Sequence, residues 1–491
     1  MSAVAVPLRR RLLTPALVFV TLVVAVISSL GAPLIPLISH DMHVPLSDAQ
    51  WSLTATLLVG AICAPVMGRL GDGPHRRAAL VWGLVVVLAG GILAAVAGSL
   101  LLLVVGRALQ GIGLGLVPLA MAAARDGLPA ARVRPAIALL SVATASGVGV
   151  GYPVSGLIAD RAGLQAAYWF GATFSAIALA AVVAVVPRSR PERTARLDAA
   201  GGALLTGGLV ALLLAIGQGE SWGWTSPAIL LLAVVAATLL PAWVAHQLRT
   251  RAPLVELRLL RHRAVMTADA SAFLLGVAMY VYLTIITAFV QVPESLGFGF
   301  GASALTAGLC LVPLSATSLG ASRLLPAATR LLGSRSVLPV GCLLVAAAGT
   351  FFAVEHGALW EAFVTMAIIG LGLGFTFAAI PGLIIGAVPA GETGSAMGFY
   401  QVVRYIGFSL GSALAAAILA GHTSPGAHLP TEGGYVTALW AAAVACVGAA
   451  LLAWFLPAAG GPPSRALGEL ETEEGELGAA GVVGIEQPVL S

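Results

Sequence analysis

Charged side chains are scarce in this sequence, and lysine is missing altogether. Only 9% of its 491 residues are charged, and all 25 basic residues are arginine. A soluble domain keeps about a quarter to a third of its surface in charged residues, so the shortage excludes an ordinary water-soluble fold. The formal net charge of +4 does not point to nucleic acid either, because the arginines are scattered through short loops without a basic face or an aromatic platform. Cysteine is sparser still. Cys63, Cys310, Cys342 and Cys446 all fall inside apolar runs with no CxxC pair, which fits small packing residues rather than disulfides or metal ligands. His40-Asp41-Met42-His43 brings metal-binding side chains together, but no further ligands cluster nearby. No metal and no cofactor are expected.

Apolar residues fill the space that charge leaves. They make up 59% of the chain, and the mean hydropathy is +0.99. A spanning helix needs roughly 20 apolar residues. Fourteen such runs can be drawn, at 12–38, 51–67, 78–97, 100–123, 135–158, 166–186, 199–217, 228–246, 266–290, 303–322, 336–354, 361–388, 397–420 and 436–456. The expected fold class is an all-α polytopic membrane protein with the lipid bilayer as its solvent. Its 59 glycines and 28 prolines suit membrane helices packed through small residues and interrupted in places. Arginines at 9–11 precede the first run, which is too long for a signal peptide and lacks its cleavage site, so it reads as an uncleaved first span.

Arginine placement orients the chain. Residues 9–11, Arg69, Arg76, Arg77, Arg125, Arg132 and Arg134 precede run 1 or follow even-numbered runs, as do the arginines between 188 and 196, 249 and 263, and 323 and 335. The alternate loops hold Arg161 and little else. By the positive-inside rule both termini are cytoplasmic, and one miscounted span would scramble the segregation. Trp51, Trp82, Trp169, Trp243, Trp360, Trp440 and Trp454 stand near run ends, where amphipathic rings anchor at the headgroups. After residue 456 the chain is rich in Gly and Pro and then acidic, from Glu469 to Glu476, which reads as a disordered cytoplasmic tail.

The sequence also repeats. Gly111-Ile112-Gly113-Leu114-Gly115 in run 4 recurs as Gly370-Leu371-Gly372-Leu373-Gly374 in run 12. Gly147 and Gly151 in run 5 recur as Gly407 and Gly411 in run 13, and Arg69-Leu70 as Arg323-Leu324. All three offsets are about 255–260 residues, which predicts two homologous six-helix halves. The expected layout is an N-terminal segment (1–11), a first half (12–186), an insertion carrying runs 7 and 8 (187–265), a second half (266–456) and the tail (457–491).

Three stretches carry specific chemistry. Gly68-Arg69-Leu70-Gly71-Asp72-Gly73-Pro74-His75-Arg76-Arg77 is a charged island between runs 2 and 3, where Asp72 can pair with arginine or cap a neighbouring helix. Arg107-Ala108-Leu109-Gln110-Gly111-Ile112-Gly113 places a cation roughly 10 Å into run 4. A charge there costs about 2.5–3.5 kcal/mol and normally faces a bundle interior or cavity. In run 5, Gly147, Gly151 and Gly156 clear a groove for close helix approach, and Pro153 bends the span.

In this order the three stretches resemble the motifs of the major facilitator superfamily, and the fourteen runs resemble its drug/proton antiporters. The resemblance covers about 12–456 and implies two six-helix halves with runs 7 and 8 inserted between them. It implies a cytoplasmic latch made of Gly68, Leu70, Asp72, Arg76 and Arg77, incomplete because Gly73 and His75 replace a basic residue and a glycine. It links Arg107 to proton transfer. It makes Gly147, Gly151, Pro153 and Gly156 the antiporter motif, with Tyr152 separating a Gly-Pro pair that is usually adjacent. The subgroup's first-helix aspartate falls at Ile27 here, so that acid is absent.

Asp269, early in run 9, is the one carboxylate clearly inside a run. It is either a proton carrier or an interfacial cap near Arg261 and Arg263. Asp126, Asp160 and Glu361 stand at run ends. Runs 1, 4, 5, 9, 12 and 13 are expected to line a central cavity, with Gln110, Tyr280, Tyr282, Phe375, Phe377, Tyr400, Gln401 and Arg404 on its walls. The expected function is export of small, largely hydrophobic compounds across a bacterial cytoplasmic membrane by proton antiport. The partners are the substrate, protons and lipid, and the protein acts as a monomer. The missing acid keeps a metabolite uniporter or importer open as the alternative. A polytopic enzyme or receptor is disfavoured, since no polar cluster marks a membrane face and neither needs two homologous halves.

Overall fold

The computed structural model describes residues 8–30, 34–187, 198–250, 253–333, 335–389, 392–424 and 429–455. The acidic tail and the arginines at 188–196 lie outside the described residues. Among the described residues fourteen helices are long and apolar enough to cross a membrane. The first six are α1 (Leu12–Ser29), α2 (Trp51–Gly71), α3 (Arg76–Ala95), α4 (Leu100–Gly127), α5 (Ala130–Ala159) and α6 (Arg161–Val185). Then come α7 (Ala199–Gly219) and α8 (Pro227–Arg249). The last six are α9 (Arg263–Gln291), α10 (Leu305–Leu332), α11 (Val337–Val354), α12 (Leu359–Ala387), α13 (Thr393–Gly421) and α14 (Glu432–Phe455). No strand occurs among the described residues.

The two halves are built on the same glycine contacts. A methyl group added at Gly111 or Gly115 in α4 would meet the α2 backbone, and one at Gly113 would meet Val87 of α3. In α12 the same pattern recurs, with Gly370 and Gly374 against α10 and Gly372 against Gly341 and Val345 of α11. Gly147 and Gly151 of α5 lie on α1, and Gly407 and Gly411 of α13 lie on α9. A hydrogen bond repeats as well. Thr56 Oγ1 in α2 donates to the Arg107 carbonyl at 3.0 Å, and Thr317 Oγ1 in α10 donates to the Ala367 carbonyl at 2.7 Å. Lipid gives apolar helices no hydrophobic reason to associate, so close backbone packing of this kind holds the bundle together.

The inserted pair packs on itself and against α13 and α2. Asp198 closes its arginine-side end, accepting from the Gly201 N–H at 2.8 Å and lying 3.0 Å from His246 Nε2 of α8. Trp243 of α8 is no interfacial anchor. It is buried, with its ring 6.4 Å from that of Phe399 in α13.

Two boundaries differ from expectation, while the break between α5 and α6 falls in the expected gap. The first run is two helices, because α1 stops at Ser29 and a separate short helix covers Ile35–Met42 on the opposite face. Helix α10 continues to Leu332, carrying exposed Arg323 and Arg330 beyond the apolar run until Gly333 (φ 80°) ends it. The Arg323-Leu324 echo therefore lies within a helix rather than after one. Helices α5 and α6 are separated at Gly163 (φ 81°), while the helix continues through Pro153.

Gly111→Val should destabilise the protein by about 1–3 kcal/mol, because the Thr56 backbone cannot yield to the new side chain. Gly156→Ala, at a position with open space around it, should stay within about 0.5 kcal/mol. Thermal unfolding of the purified variants in detergent checks both.

Candidate functional site

The halves meet backbone to backbone where α2 ends and α13 begins. A methyl at Gly68 would collide with the Gly394 carbonyl, and one at Gly398 would meet the Ala64 carbonyl. One turn further, Asp72 accepts the Gly394 N–H at 2.7 Å and the Ser395 N–H at 2.8 Å. It places a carboxylate on the positive end of α13. Burial pushes its carboxyl up to about 7, against the lowering effect of the two N–H groups and Arg69, with Glu392 adding to the rise. Ser395 Oγ donates to the Leu254 carbonyl at 3.0 Å, which joins the segment after α8 to the same seam.

Arg76 and Arg77 make bonds within the first half. Arg76 pairs with Asp126 at 2.6 Å, and Arg77 Nη2 donates to the Val183 carbonyl of α6 at 2.9 Å. Leu70 is half-buried. A cation that does cross to the second half is Arg125 of α4, hydrogen-bonded to Thr393 Oγ1 and to the Val388 carbonyl. Sequence reading used Arg125 only for topology. Its position at the end of run 4, beside Asp126, was the available signal.

The opposite seam, between α5 and α10, is joined by Ser315 Oγ donating to the Ser146 carbonyl at 2.8 Å. Among the described residues it has no latch at the arginine face. The turn from α10 to α11 carries Arg330 and Arg335 without an acid, and Pro129 offers α5 no side-chain cap. A cavity of about 1530 Å³ opens there, with Arg134, Arg323, Arg330 and Arg335 on its walls.

Arg107 is fully buried. Its Nε donates to the Ser52 carbonyl at 3.2 Å, and its Nη1 to the Ile27 carbonyl at 2.9 Å and Gln110 Oε1 at 2.8 Å. Nη2 donates to the Ser28 carbonyl at 3.4 Å, and the Tyr168 ring lies 5.9 Å away. Every one of these acceptors is neutral. Ile27, where the resembling subgroup has its acid, contributes only its backbone carbonyl. Gln110 is occupied by this brace and does not line the central pocket.

In α5, Gly147 faces Ala25 and Leu22, and Gly151 faces Ser29 and Val26. Gly156 clears no groove, since nothing lies within 4 Å of the methyl it lacks. Pro153 faces Gly308 of α10 instead of breaking its own helix. Asp269 is 6% exposed and about 9 Å along α9, with no hydrogen-bond partner for Oδ1 among the described residues. It does not cap that helix, whose N-cap is His262. Glu361 does cap, accepting the Ala358 N–H at 2.9 Å.

A pocket of about 30 Å³ lies where the halves join. Ala25, Ser28, Leu57, Leu114 and Thr144 line it from the first half. Met279, Tyr280, Phe377, Arg404, Tyr405 and Phe408 line it from the second. Residues two apart on a helix point about 200° apart, so Tyr280 and Tyr282 cannot share a wall, nor can Phe375 and Phe377. Tyr282 instead packs its hydroxyl against Gly349 of α11, and Phe375 joins Ala321 and Val337. Tyr400 and Gln401 lie behind the wall. The Tyr400 hydroxyl is 3.4 Å from Arg404 Nη1, and Gln401 Nε2 is 3.5 Å from the Tyr405 hydroxyl. Tyr405 and Phe408 were missed, although their spacing of four and seven residues after Gln401 is a helical face legible in the sequence. The Arg404 guanidinium lies 5.2–5.8 Å from the rings of Phe377, Tyr400, Tyr405 and Phe408. Cation–π contacts contribute about 0.5–2 kcal/mol each.

Two repeated helical halves joined by a capped seam around a small apolar pocket define a polytopic membrane transporter. The chain belongs to the Major Facilitator Superfamily, whose profile matches residues 17–412. It is 26% identical over 403 residues to the tetracenomycin C resistance and export protein of Streptomyces glaucescens, covering 81% of this chain and 74% of that one. It is 28% identical over 405 residues to the probable actinorhodin transporter of Streptomyces coelicolor, covering 79% and 68%. The crystal structure of the human organic anion transporter MFSD10 superposes with a TM-score of 0.60 at 17% identity, covering 92% of this chain and 100% of that one; this likeness concerns the fold alone.

Asp72 gives the seam a pH dependence. Its folded carboxyl is raised from the model-peptide value of 3.8 to about 7, so the closed seam binds more protons than the open one between those values. The contribution to closure is fully present below about 4 and is lost as pH rises through about 7. Spin labels at positions 75 and 389 should report more open seam at pH 7.5 than at pH 5, and Asp72→Asn should flatten the profile.

Proposed function

We propose that this transporter exports small, largely hydrophobic compounds, antibiotics among them, by alternating access. The observation that carries the reading is the central pocket, which draws apolar and aromatic walls from both halves. The walls separate whenever the seams exchange. The relatives named for tetracenomycin C and actinorhodin, and a multidrug resistance protein of Mycobacterium tuberculosis at 26% identity over 389 residues, support export as the direction. The arginine-bearing face is read as cytoplasmic, with both termini there, in a bacterial cytoplasmic membrane, and the transporting unit as a monomer.

For coupling we propose proton antiport through Asp269, a buried carboxylate with an unpartnered oxygen. Arg107 would act indirectly, by fixing the end of α1 at Ile27 and Ser28. Gly68 and Asp72 would form the latch, with Arg125 as its second bridge, and Gly147 and Gly151 would guide α1. The neutral Ile27 favours a second reading, uncoupled facilitated passage.

Expression in a pump-deficient bacterial host should raise resistance to several hydrophobic antibiotics severalfold. Everted vesicles should accumulate the same compounds, with a protonophore or Asp269→Asn abolishing accumulation. Entry that only equilibrates the compounds across the membrane and ignores both would decide for the uncoupled reading. Failure to export any compound would sink the efflux proposal itself.

A further inference from the structure

The two buried arginines have opposite surroundings. Arg107 donates to four oxygens of its own chain. Arg404 is 2% exposed and meets only tyrosine hydroxyls among the described residues, that of Tyr400 at 3.4 Å and that of Tyr405, while its Nε has no partner among them. No carboxylate pairs with it among those residues, and Asp269 on the adjoining α9 leaves its own Oδ1 unpartnered as well. Four aromatic rings surround the guanidinium. They soften the loss of water but cannot accept its in-plane N–H bonds. Among the described residues Arg404 is also the one formally charged residue on the wall of the central pocket.

A planar fork of free N–H donors in a dry aromatic setting is suited to a carboxylate, which accepts two of them side by side. We propose that the central pocket takes hydrophobic aromatic anions of the carboxylate class, with the negative head on Arg404 and the ring system between Tyr280, Phe377 and Phe408. This rests on the export reading above and narrows its substrate class. Tyr280 and Phe408 already stack on each other, with ring centroids 4.7 Å apart, and an aromatic substrate would extend that stack. At about 30 Å³ the closed pocket has room for about one water, so the anion enters as the halves separate. Ser28 and Thr144 on the facing wall already donate to the Ala25 and Leu140 carbonyls, so recognition of the anion falls to Arg404.

The test uses radiolabelled naphthoate, its neutral isostere naphthamide and the cation naphthylmethylammonium, with purified full-length protein at neutral pH. Wild type should bind naphthoate about tenfold or more tighter than either of the others. Arg404→Gln should bring naphthoate down to the level of naphthamide, and Arg404→Lys should restore part of the preference. Equal binding of the three probes by wild type, or tighter binding of the cation, overturns the proposal without any variant having to fold. So does a naphthoate preference that survives in Arg404→Gln. If no aromatic probe binds although the resistance panel records export of other compounds, the anion proposal fails and the efflux reading stands. If the panel also records no export, the efflux reading falls with it.

Discussion

Two backbone N–H groups held by one carboxylate distinguish the two seams of this transporter. The halves are near copies of each other in their glycine contacts and in the Thr56 and Thr317 hydrogen bonds. What breaks the likeness is Asp72 on the amino end of α13. The turn from α10 to α11 offers no acid to α5, and a large cavity opens on that side. A side-chain cap of this kind contributes about 1–2 kcal/mol. An alternating machine needs contacts of that modest size, because a much stronger one would hold a single state.

The buried arginines divide the remaining labour. Arg107 spends its donors on carbonyls at the end of α1 and in α2, plus one amide, and so fixes three helices of the first half around Ile27. Arg404 is surrounded by ring faces and keeps donors in reserve. One cation is consumed by architecture and the other remains available at the pocket wall. Both stand inside apolar runs of the sequence; the acceptors around each tell them apart.

Much of the architecture was legible in the residues alone. Fourteen apolar runs, the segregation of arginine and the shared offset of three motifs all depend on composition and spacing. The candidate site was legible only in part. Tyr280 and Phe377 lie on the pocket wall while Tyr282 and Phe375 do not, and helices apolar on every side carry no periodic stripe to show which way each residue points. Arg125 could not be placed across a seam before the partner helix was known, because the contact joins residues more than 260 positions apart. Trp243 was assigned to the lipid headgroups by its position near a run end, yet α13 covers it. The overrun of α10 escaped notice because a helix can continue into water after its apolar run is finished.

The seam where Gly68 meets Gly394 and Gly398 has a consequence for inheritance. A joint made of bare backbone has no side chain to trade, so almost any change there impedes the motion itself and silences every substrate together. The belt around Arg404 is made of side chains, and changes there can exchange one cargo for another while the motion survives. Variation in what this lineage exports would then collect in the belt, and the glycine joint would stay the same.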